Sequence, residues 1–189
     1  PVHGDCGAQA ASVLLVGLGE KGEFNAGSAF SIGSLLSKRL GSKPKRRVAV
    51  LLPNEATAPT HCSALLEGVI VGSQAPALLK AETSRHPFTA FSLLNPPGRE
   101  QDTQAMLQAM QRGHVIGESV NLARELANTP PAGKTPSMLA RRAEQIAHDL
   151  GFTAKVWDRE RIIAESFGGL AAVAAGSDEP PAFVVLKYR

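Results

Sequence analysis

Cysteine is scarce in this sequence: only Cys6 and Cys62 occur among 189 residues. Two are too few for a disulfide-stapled scaffold and suit a reducing cytoplasm, which is the location expected. No apolar run approaches the roughly 18 residues that span a bilayer, and the chain does not open on a basic-then-apolar leader. No membrane partner is therefore expected. No GxSxG elbow presents a serine nucleophile, no helical stretch carries the two-histidine pattern of a zinc protease, and paired carboxylates are few. Internal repeats and low-complexity tracts are missing too.

What is there is ordinary for a folded domain. Hydrophobic residues make up 43% and charged residues 20%, with a net charge of +3; such a chain can bury a sizeable core. Much of the positive excess sits in Lys43-Pro44-Lys45-Arg46-Arg47. That run fits a solvated loop after a helix, and also contact with nucleic acid or a localisation signal. No aromatic residue interleaves the charges as base stacking requires, which favours the loop.

The first half alternates strand and helix. Ser12 to Leu18 is short, apolar and closed by glycines, as a buried strand should be. Asn25 can cap a helix over Ala26 to Leu40, with Ala29, Phe30, Ile32, Leu36 and Leu40 inward and Gly41 as its stop. Arg47 to Leu52 is a second strand, Pro59 to Gly72 a helix and Phe88 to Leu94 a third strand, before the break at Asn95-Pro96-Pro97-Gly98. This order predicts a mainly parallel sheet covered by helices.

A long amphipathic helix follows, with Met106, Met110, Gly113, Ile116, Val120, Ala123 and Ala127 on its apolar stripe. Asn128-Thr129-Pro130-Pro131 ends it, and Thr135-Pro136 caps and opens the next helix, which runs to Leu150 and stops at Gly151. Phe152 to Trp157 is a strand, Asp158 caps a short helix to Ser166 that Gly168-Gly169 ends, and Leu170 to Ala175 and Pro181 to Tyr188 are the last expected strands. The predicted organisation is an α/β domain over 1–100, a connecting helix over 101–130, and the start of a second α/β domain over 131–189. The opening Pro1-Val2-His3, almost directly before a strand, and the apolar last strand predict a fragment.

Several constellations could carry chemistry. Gly17-Leu18-Gly19-Glu20-Lys21-Gly22 fits the dinucleotide GxGxxG pattern after a strand, but the helix starts only after Asn25 and the first acidic residue past the second strand, Glu55, is too distant to hold a ribose. Gly133-Lys134-Thr135 is the tail of a phosphate loop, yet Pro130 and Pro131 have no N–H to offer a phosphate. His114 with Glu118, and Glu144 with His148, sit four apart and suit exposed pairs better than metal ligands. His3, Cys6, His61 and Cys62 match no standard zinc spacing. Asp158 and Glu160 suit a helix start, Asp178 and Glu179 a turn, and Arg124 and Glu125 surface or interdomain ion pairs.

The string Asn121-Leu122-Ala123-Arg124-Glu125-Leu126, followed by Asn128, Pro130, Pro131, Thr135, Pro136 and Leu139, resembles the domain junction of the cytosolic leucyl aminopeptidases. Gly169-Leu170, Gly176-Ser177, Pro180-Pro181 and Leu186-Lys187-Tyr188 follow in the matching order, and Val13 to Gly19 resembles a core strand of that family's N-terminal domain. The resemblance implies a macro-domain-like N-terminal α/β domain, a connecting helix and a catalytic domain. It also implies hydrolysis of N-terminal residues from peptides, two divalent ions (Zn or Mn) and a homo-hexamer. The family's metal ligands, a lysine, three aspartates and a glutamate, lie in motifs of the type GKGxxFDxGG and NTDAEGR, and neither string occurs here. Lys187 precedes the position of the metal-site lysine. The expectation is a chain with no catalytic, cofactor-binding or metal-binding residue of its own. Two alternatives stay open: a macro-like module holding a nucleotide, ADP-ribose or nucleic acid, and a nicotinamide-dependent enzyme using Gly17 to Gly22.

Overall fold

A computed structural model describes residues 12–20, 22–44, 46–74, 84–94 and 102–188. The chain divides into two compact units, Pro1–Glu125 and Leu126–Arg189.

The first unit opens its regular structure with α1 (Ala26–Leu40), where the Asn25 side chain accepts from Ser28 N and the Gly41 N–H returns to Ser37 O. Strand β1 (Arg47–Leu51) follows, then a single 3₁₀ turn at Asn54–Ala56, α2 (Pro59–Ser73), β2 (Ala90–Leu94) and α3 (Thr103–Asn128). β1 and β2 pair in parallel from Arg47↔Ala90 to Leu51↔Leu94. The core gathers Ala29, Leu52, Ala56, Cys62 and Leu65, with Leu18, Phe24, Val50, Phe91, Leu93 and Met106 packed against it.

The 12–18 run differs from its expectation. Val13 alone is in a bridge, and no ladder forms there among the described residues. β1 and β2 bond to one another, and Leu15 stands 80% exposed while Leu18 reaches the core. An apolar run becomes a strand only where a neighbour supplies the hydrogen bonds. The break at Asn95 to Gly98 lies outside the described residues.

In the second unit, Pro131–Gly133 forms a 3₁₀ turn and Thr135 caps α4 (Pro136–Leu150) by accepting from Met138 N. Gly151 ends α4 in the left-handed region at φ 71°, and Phe152 N reaches back to Ala147 O at 2.8 Å, a Schellman closure. β3 (Thr153–Trp157) pairs antiparallel with β4 (Phe183–Lys187). Between them lie α5 (Arg159–Ala164), capped by Asp158, and α6 (Gly168–Ala174).

Two expectations are overturned here. Leu170 to Ala174 is helix, with Ala175 as its cap, since alanine, the best helix former, fills Ala171, Ala172 and Ala174. Gly168-Gly169 therefore opens α6 and does not close α5. The stop is Ser166, at φ 62°, with Phe167 N bonded to Ile162 O at 3.1 Å; a serine takes the left-handed position that glycine usually holds.

Candidate functional site

The most recognisable stretch of the sequence puts two polar side chains where α2 ends. The last carbonyls of a helix have no intrahelical donor. Asn121 Nδ2 donates to Ile70 O at 3.0 Å, and Arg124 Nη1 donates to Val71 O at 2.9 Å. The same Nη1 donates to Asn121 Oδ1 at 2.9 Å, which holds the amide in its working orientation. Arg85 Nη1 covers Gly72 O at 3.3 Å, and Ser37 Oγ donates to Val69 O at 2.6 Å. Two guanidinium groups thus sit at the negative end of α2, where its dipole favours cations.

Backbones must come close for such short side chains to reach. Along α3 the buried residues are Ala109, Gly113, Gly117 and Asn121, every fourth position. A side chain at Gly113 would collide with Ser63 O, and one at Gly117 would meet Ile70 Cβ at 2.9 Å. The expected stripe is therefore displaced: Gly113 belongs to it, but Met106, Met110, Ile116 and Val120 flank the seam and Ala123 and Ala127 are exposed. Close crossing selects the smallest residues, not the most apolar, along an i±4 row. Asn121 was legible in principle, because a buried amide continuing that row needs a partner.

The other candidates occupy separate places. Gly19 and Gly22 have positive φ, 87° and 95°, and Asn25 caps α1, so the glycines precede the helix start by several residues. Lys134 Nζ donates to Ala127 O at 3.1 Å near the end of α3, and Thr135 caps α4. His114 and Glu118 are exposed on α3. His148 Nδ1 lies 3.2 Å from Asp149 Oδ1, in place of a pair with Glu144, and Asp149 is also held by Gln145 Nε2 at 2.8 Å. The Gln145 bond first, then His148, keeps the Asp149 carboxyl below the usual carboxylate range. Asp158 accepts from Arg161 N at 2.9 Å, while Glu160 is exposed. Ser177 Oγ accepts from Glu179 N at 3.1 Å, and Asp178 is exposed in the same turn. Lys187 is exposed on β4, opposite Thr153. Lys43, Arg46 and Arg47 are placed at the entry to β1, and Glu125 is exposed on α3.

His3, Cys6 and Lys45 lie outside the described residues. Among the described residues no three His, Cys, Asp or Glu side chains gather as metal ligands. No helix there is long and apolar enough to cross a membrane. A shallow recess of about 500 Å³ on α3, lined by Gln108, Gln111, Arg112, Val115 and Ile116, offers no acid–base pair.

Cys62 is buried, and burial pushes its thiol up from its ordinary value. A thiol that stays protonated is a poor nucleophile. In a Cys6→Ser background, Cys62 should react with a disulfide reagent at least about tenfold more slowly when native than in denaturant. Equal rates would show an open thiol. With the folded value above the unfolded one, the thiol's contribution to stability is complete below about pH 8.5 and is lost as pH rises through the folded value.

Comparison with known proteins matches residues 2–74 to the cytosol aminopeptidase family, N-terminal domain, and residues 121–189 to the same family's catalytic domain. A probable cytosol aminopeptidase of Solibacter usitatus is 31% identical over 188 residues, 100% of this chain and 38% of that protein. One from Rhodopirellula baltica is 30% identical, across 96% of this chain and 34% of that protein. The chain thus spans little more than a third of the length of these relatives. Among solved structures, the bottromycin maturation enzyme BotP in complex with Mn superposes with a TM-score of 0.76 at 25% identity, over 92% of this chain and 36% of BotP. A tomato leucine aminopeptidase mutant gives 0.75 at 24%, over 88% of this chain and 34% of its own, which speaks to the fold.

Proposed function

Since the chain belongs to the cytosol aminopeptidase family, we propose that it is part of a metal-dependent leucyl aminopeptidase that removes N-terminal residues from peptides. In this reading residues 1–100 are the N-terminal domain, 101–130 the connecting helix and 131–189 the first elements of the catalytic domain. The observation that carries it is the pair of matches, one from each domain of a single family, in the family's own order along the chain. The catalytic residues and the ligands of two divalent ions are assigned outside the 189 residues. Mn is supported by the BotP complex, with Zn as the other candidate. The protein works as a homo-hexamer in the cytoplasm.

The test compares this chain with a polypeptide that contains it and has the length of its relatives. Both are given a leucine-coumarin amide with Mn or Zn, then a chelator. The longer protein should turn over and lose its activity on chelation, while the 189-residue chain stays silent. Turnover by the short chain would overturn the assignment of the site, and a silent longer protein would overturn the peptidase reading.

A further inference from the structure

No further inference is drawn: the strongest candidate, the exposed face of α3 that carries Leu107, Val115 and the shallow recess beside Gln108, Gln111 and Arg112, is an open helix face, and nothing among the described residues shows what covers it.

Discussion

Gly68→Ala is expected to lower the unfolding free energy by about 3 kcal/mol, although glycine to alanine inside a helix ordinarily gains about 1 kcal/mol. The reversal comes from the crossing of α1 and α2. A Cβ on Gly68 would collide with Phe30 O and stand 2.8 Å from Phe30 C, and Gly33 faces Leu65 and Val69 backbone in the same way. Backbone atoms cannot swing aside as a side-chain end can, so the helices must separate, and Ala29, Leu36 and Leu65 lose contacts together. Urea unfolding followed at 222 nm measures the loss. As a control, Gly168→Ala, where nothing lies within 4 Å, should leave the midpoint unchanged or raise it. A Gly68→Ala protein as stable as the parent would mean that the crossing is looser than described.

The second large effect belongs to Asn121. Asn121→Ala removes the donor to Ile70 O and the acceptor for Arg124 at a position only 5% exposed, and should cost about 2 to 3 kcal/mol. Arg124→Ala should cost about 1.5 to 3 kcal/mol, as expected for a charged hydrogen bond. Because the two side chains bond to each other, the double variant should lose less than the sum of the single losses. Arg124→Lys should recover little, since one Nη1 serves both Val71 O and Asn121 Oδ1 and an ammonium has no planar fork to reproduce that geometry. Strict additivity, or a loss below about 0.5 kcal/mol for Asn121→Ala, would show that the α2 end does not depend on this pair.

Local signals were legible where one residue type has one physical job. Asn25 and Gly41 gave the bounds of α1, and Thr135-Pro136 with Gly151 gave those of α4, because caps and stops act within a few residues of themselves. Leu170 to Ala175 misled because a short apolar run has no decisive period, and its alanines prefer helix once Gly168-Gly169 is free to begin one. The buried face of α3 was shifted because hydrophobicity marks packing area, while Gly113 and Gly117 mark packing distance, which depends on Ser63 and Ile70 some fifty residues earlier. Arg124 stood out in the sequence as part of a motif, and Asn121 lies three residues before it on α3, but its other partner, the carbonyl of Val71, comes within reach only once α2 and α3 are packed together. The cytosol aminopeptidase family was legible from that same motif, whereas the work its residues do was not.

Trp157 is the one tryptophan of the chain. It lies against Phe167 and Phe183 at 5.5 and 5.3 Å between ring centroids, with the Arg161 guanidinium over it at 5.8 Å. Intrinsic fluorescence excited at the indole is therefore a private signal of the β3–β4 unit, while α1, α2 and nearly all of the 26-residue α3 put most of the far-ultraviolet ellipticity in the other. Two optical channels thus watch two halves of one polypeptide without any added label. The interval between their melting midpoints measures how far each half depends on the other.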